Sequence, residues 1–76
     1  MIKVLYFASM RERIGRSSDA ININQPITIA KLWQMATSQD SFPDDVLIAL
    51  NQEYTDKNTM VSDGDEVAFF PPVTGG

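Results

Sequence analysis

Apolar and polar positions along the chain divide it into several short strand-like stretches and one clearly amphipathic helix. Ile2 to Ala8 is rich in β-branched and aromatic residues and predicts a central strand. Ser9-Met10-Arg11-Glu12 has the spacing of a capping box, in which the Ser9 hydroxyl accepts an early helix N–H and Glu12 reaches back, and Gly15 supplies a stop. A helix of one to two turns is expected there. Ala20 to Asn24 alternates with period two, which puts Ile21 and Ile23 on a core face and the asparagines toward solvent. Beyond Pro26, Thr28 can cap a helix whose Ile29, Leu32, Trp33 and Ala36 fall at i, i+3, i+4 and i+7, so that one face packs on a sheet.

Ser38 to Asp45 is a polar connector with Pro43 at a turn position. Val46 to Leu50 is an unbroken apolar run short enough for an inner strand, and Asn51-Gln52-Glu53 turns it toward Tyr54. Asp56-Lys57-Asn58 is loop chemistry. Ser62-Asp63-Gly64-Asp65 is a strong turn signal, because glycine tolerates positive φ and aspartate bonds back to the chain. A last strand, Glu66 to Phe70, runs into Pro71-Pro72. The order is that of an α+β domain with one main helix crossing a mixed sheet, as in a β-grasp.

The first and last strands are expected side by side at the sheet centre. A parallel register that sets Lys3 beside Glu66 also sets Leu5 by Ala68 and Phe7 by Phe70, because side chains alternate faces. Ile2, Val4, Tyr6, Val67 and Phe69 then meet Leu32 and Trp33 of the helix, and the face carrying Lys3 and Glu66 points outward. Phe7 and Phe70 are left exposed where the chain leaves the sheet, and Tyr54 is a third candidate for the same patch. Adjacent exposed aromatics on so small a domain mark a partner site, unless a loop covers them.

Composition narrows the chemistry. A chain of 76 residues is one domain that buries about 60% of its unfolded surface, leaving little apolar material to line a deep catalytic cleft. It contains no cysteine and no histidine, which removes thiol nucleophiles, disulfides, the common zinc sites and Ser-His or Cys-His catalysis; no metal site is expected. The net charge of −4 is the wrong sign for tracking phosphate backbones, so nucleic acid is not an expected partner. Basic residues gather early, with Lys3, Arg11, Arg13 and Arg16 against Glu12, and the i,i+4 pair Glu12–Arg16 would lace a solvated short helix. The acidic remainder favours docking onto a basic surface. No run approaches a bilayer span and Met1-Ile2-Lys3 leads straight into a strand pattern, so no membrane association and a cytoplasmic location are expected.

The end of the chain carries the sharpest signal. Residues 1–72 form the expected domain and 73–76 a flexible tail. Pro71 and Pro72 have no N–H to give a ladder and stiffen the exit. Val73, Thr74, Gly75 and Gly76 together reach roughly 13 Å when extended. Gly75 and Gly76 lack a Cβ, so they can thread a channel too narrow for other residues and bring the Gly76 carboxylate to its far end. By composition alone a Gly-Gly end occurs about once in two hundred chains.

These stretches resemble the sulfur-carrying small subunits of molybdopterin synthase, which are ubiquitin-like β-grasp proteins. The resemblance lies in Val4-Leu5-Tyr6-Phe7-Ala8 with Arg11-Glu12 and Gly15, in Ala49-Leu50-Asn51-Gln52, and most specifically in the block from Asp63 through Phe69-Phe70-Pro71-Pro72-Val73-Thr74-Gly75-Gly76. Residues 17–45 match only in pattern. The family implies that an ATP-dependent adenylating enzyme of the ubiquitin-activating type converts the Gly76 carboxylate to an acyl-adenylate, and that a sulfur donor then displaces AMP to leave a thiocarboxylate. Gly75 gives the tail access to the large synthase subunit, where two such sulfurs convert cyclic pyranopterin monophosphate to the dithiolene of molybdopterin. The implied assembly is a heterotetramer of two small and two large subunits. No cofactor is bound, and the chain is a co-substrate whose catalytic groups lie in its partners. Phe7, Tyr54, Phe70, Pro71, Pro72, Val73 and Thr74 are the expected partner-binding residues. The alternatives are a sulfur carrier for thiamine thiazole synthesis, a modifier conjugated to lysines, and an interaction module whose Gly-Gly end is incidental.

Overall fold

The β-branched and aromatic residues at the two ends of the chain pair with each other. A computed structural model describes residues 1–72. In it β1 (Ile2–Tyr6) lies parallel to β7 (Glu66–Phe70), with Lys3 opposite Glu66, Val4 opposite Val67, Leu5 opposite Ala68 and Tyr6 opposite Phe69. This is the register expected from the sequence. β2 (Ser18–Ile21) pairs antiparallel on the far side of β1, and β4 (Leu47–Leu50) and β5 (Glu53–Thr55) continue the sheet beyond β7. The strand order is β2-β1-β7-β4-β5. A second, two-stranded sheet joins β3 (Ile27–Thr28) to β6 (Met60–Val61).

One helix, α2 (Ile29–Thr37), covers the inner face. Thr28 is extended at its N-cap and its Oγ1 accepts from Lys31 N at 3.1 Å, while Ser38 in the left-handed region closes the other end. Ile29, Leu32, Trp33 and Ala36 are all buried, as the 3.6-residue period requires. Ile2, Val4 and Tyr6 from β1 and Val67 and Phe69 from β7 line the core they enter, together with Met10, Val46, Ile48 and Val61. Burying each large apolar side chain contributes roughly 1.5–3 kcal/mol. Phe42, in the connector between α2 and β4, adds an aromatic wall: Trp33 sits edge-on to Phe42 at 5.3 Å and to Phe69 at 5.0 Å.

Several local expectations are corrected. β1 stops at Tyr6, two residues early, because Ala8 takes φ 51° and turns the chain away from the sheet. The helix α1 (Ser9–Ile14) therefore starts with Ser9 already helical and Ala8 as its N-cap. Ala8 has no side-chain oxygen, and Glu12 falls one place too late to reach back, so no capping box forms. Gly15 does end the helix, in the left-handed region at φ 91°, with its N–H on Arg11 O. Arg16 lies beyond that stop and pairs with Asp19 at 2.8 Å instead of Glu12. The alternating strand begins earlier than expected, at Ser18, and leaves Ile23 beyond its end, although Ile21 and Ile23 both pack against the core.

Candidate functional site

Because Ile2, Val4 and Tyr6 face α2, the intervening Lys3 and Leu5 and the following Phe7 belong to the opposite side of the sheet. The same alternation places Glu66, Ala68 and Phe70 of β7 outward, and Leu47 and Ala49 of β4 with them. Register then sorts this outer face into rows. Lys3 stands beside Glu66 in a polar row. The next row reads Ser18, Leu5, Ala68, Ala49, Tyr54 across all five strands. Leu47 pairs with Phe70 in the row beyond it. The face thus changes from charged to apolar in the direction in which β7 runs.

The aromatic residues lie at the apolar end. Phe7 meets Phe70 edge-on with ring centroids 6.4 Å apart, and Tyr54 meets Phe70 from the other side at 5.7 Å. Phe7 is 49% exposed and Tyr54 74%. Phe70, expected to be exposed, is half-buried because these two rings flank it. Pro71 is partly covered and Pro72 exposed. Among the described residues no loop closes over the patch: its outermost rings remain open to solvent. The structure thus brings Phe7, Tyr54, Phe70 and the start of the Pro71-Pro72 exit to one place; Val73, Thr74, Gly75 and Gly76 lie outside the described residues.

Leu47 and Ala49 are the patch residues that the sequence did not single out. The available signal was the unbroken apolar run from Val46 to Leu50, which supplies apolar side chains to both faces of its strand: Ile48 to the core, and Leu47 and Ala49 to the surface.

On the inner face of the sheet, Tyr6 carries the main electrostatic feature. Its hydroxyl donates to Asp19 Oδ2 at 2.8 Å, and Arg16 Nε donates to both oxygens of the same carboxylate at 2.8 Å. The Arg16 guanidinium also donates to Ala36 O, near the end of α2, and stands 5.8 Å from the Tyr6 ring centroid. Burial, reinforced by the hydrogen bond and charge of Asp19, pushes the Tyr6 phenol far above its ordinary range. At the opposite end of the sheet the Met1 ammonium bonds to Asp63 and holds its carboxyl below the usual carboxylate range. Among the described residues no group of three or more acidic side chains gathers to hold a metal ion, and no helix is long and apolar enough to cross a membrane. What the outer face offers is a compact apolar patch beside a polar row that holds Lys3 and Glu66.

Comparison with known proteins gives the family and the fold. The model of the ThiS family matches residues 4–76. The molybdopterin synthase sulfur carrier subunit of Escherichia coli is 41% identical, over 100% of both chains. The fold is shared with SAMP1 from Haloferax volcanii, at a TM-score of 0.78 and 23% identity over 99% of this chain and 98% of that one, which makes it a ubiquitin-like β-grasp. A solved complex of subunits 1 and 2 of the molybdopterin-converting factor from Helicobacter pylori contains a chain that is 26% identical, with a TM-score of 0.66 over 99% of this chain and 97% of that one.

Proposed function

The chain belongs to the ThiS family, among the molybdopterin synthase sulfur carrier subunits, and from that premise we propose that its Gly76 carboxylate is the group that carries sulfur. A carboxylate is a poor electrophile. Activation by an ATP-dependent partner would join Gly76 to AMP with release of pyrophosphate, and a sulfur donor would then displace AMP to leave the thiocarboxylate. Two charged chains, used in succession by the large synthase subunit, would supply the two sulfurs of the molybdopterin dithiolene. The assembly we propose is a heterotetramer of two small and two large subunits.

One observation carries the reading: β7 ends at Phe70, in the middle of the aromatic patch, and the chain leaves the sheet there through Pro71 and Pro72. A protein that covers Phe7, Phe70 and Tyr54 is therefore placed to receive whatever follows Pro72. Gly75 and Gly76 need only a narrow channel, since neither has a Cβ. The general acids and bases would belong to the activating enzyme and the large subunit, in keeping with a chain that has no histidine or cysteine.

Deleting Gly76 tests this directly. The variant is expected to keep the unfolding midpoint of the intact chain, since the last strand, β7, already ends at Phe70, and to form no thiocarboxylate with the activating enzyme, ATP and a sulfur donor. Normal sulfur transfer by the deletion variant would overturn the mechanism.

A further inference from the structure

Ala8 has φ 51° and ψ −128°. Those torsions belong to the first central position of a type II′ turn, where glycine is the natural occupant because an L side chain crowds the backbone there. The turn is closed by Met10 N donating to Phe7 O at 3.0 Å. Ala8 therefore occupies a glycine position with a Cβ in place, directly after the exposed aromatic Phe7.

Contacts on both sides hold the turn in this state. Phe7 N donates to Phe69 O at 3.0 Å, which ties the residue before the turn to β7. Arg11 N donates to Ala8 O at 3.1 Å, and Met10, the first residue past the turn's centre, is buried in the core. Backbone strain of this kind persists only where its surroundings over-determine it, and it gathers where geometry serves a function. Here the consequence falls on Phe7. Its carbonyl is fixed by the turn and its N–H by the sheet, which sets the direction of its Cα–Cβ bond, and from there the ring lies edge-on to Phe70.

We propose that Ala8 is a positioning residue that preorganises Phe7 for the partner protein, an inference that rests on reading Phe7, Phe70 and Tyr54 as the docking patch. A side chain already held in its bound direction loses less conformational freedom on association. Glycine at position 8 would fit the turn without strain but would widen the backbone freedom next to Phe7. D-Alanine would do something different. The torsions at Ala8 are the mirror image of the extended region of an L-residue, so the D-epimer would be unstrained and still stiff.

The test compares four full-length proteins for affinity to the large synthase subunit and for unfolding midpoint: the natural chain, Ala8→Gly, a synthetic chain with D-alanine at position 8, and Phe7→Ala. Ala8→Gly is expected to bind about two- to fivefold more weakly, the scale of the freedom a glycine adds, with an unchanged or higher midpoint and a lower backbone order parameter at Phe7. The D-alanine chain is expected to bind like the natural one. Natural affinity for Ala8→Gly while Phe7→Ala binds weakly would overturn the inference and leave the docking patch standing. A fall in midpoint that accompanies the weaker binding of Ala8→Gly would reduce Ala8 to a structural role, which also overturns it. Natural affinity for Phe7→Ala would overturn the docking patch and this inference with it.

Discussion

Tyr6 joins the core to the surface through a single side chain. Its ring stacks on Phe69 with centroids 6.2 Å apart, and its hydroxyl reaches Asp19, which Arg16 also grips. The fold favours the neutral phenol, so the Tyr6 pKa is raised above its ordinary value of 10.0. Its contribution to stability is therefore present in full below pH 10.0 and is lost as the pH climbs above it. Urea unfolding followed across alkaline pH should therefore show stability falling above that value, with a shallower fall in Tyr6→Phe. At neutral pH the same substitution keeps the ring and removes one partly buried hydrogen bond to a carboxylate, an expected cost of about 1–2 kcal/mol. An unchanged alkaline profile in Tyr6→Phe would show that Tyr6 does not control it.

At the scale of elements, α2 depends on its cap as well as its buried face. Thr28→Ala removes the acceptor for Lys31 N and is expected to cost about 1 kcal/mol. Leu32→Ala, at a fully buried position, is expected to cost about 2–5 kcal/mol. Both are readable as shifts of the urea midpoint. The same helix shows what the sequence makes legible. Its cap, period and buried residues all follow from Thr28 to Ala36, and the alternation in Ile2–Tyr6 and Glu66–Phe70 sorts inner from outer positions, so that a parallel pairing with Lys3 beside Glu66 makes Phe7 and Phe70 neighbours. Ile27–Thr28 and Met60–Val61 are different: two residues cannot express a period, so their pairing is visible only once α2 and the sheet bring them together. The start of α1 was hidden for another reason. Ser9 has the chemistry of a cap, but the turn at Ala8 had already begun the helix, and nothing in an alanine announces positive φ. Leu47 and Ala49 are not legible as surface residues, because an apolar run does not say which of its members face the core.

Across the whole molecule the outer sheet face separates charge from apolar surface, and the aromatic end coincides with the chain's exit from β7. Phe7→Ala is expected to weaken binding to the large subunit by roughly tenfold, the scale of an aromatic anchor. Its effect on stability should be smaller, because Phe7 is 49% exposed; titration calorimetry and urea unfolding on one preparation separate the two. A loss of several kcal/mol in folding with unchanged binding would place Phe7 in the core instead. The net charge of −4 makes the approach to a basic partner surface sensitive to ionic strength, so the association rate should fall as salt is added while Phe7→Ala acts mainly on dissociation.

Sulfur carriage comes down to one atom of Gly76, and intact-mass analysis measures it. The protein is incubated with its activating enzyme, ATP and a sulfur donor, and fragmentation then locates any change in mass. The expected result is a gain equal to one sulfur-for-oxygen exchange, confined to Gly76 and absent when ATP is withheld. An unchanged mass in a mixture that still delivers sulfur to the pterin precursor would show that Gly76 does not carry it.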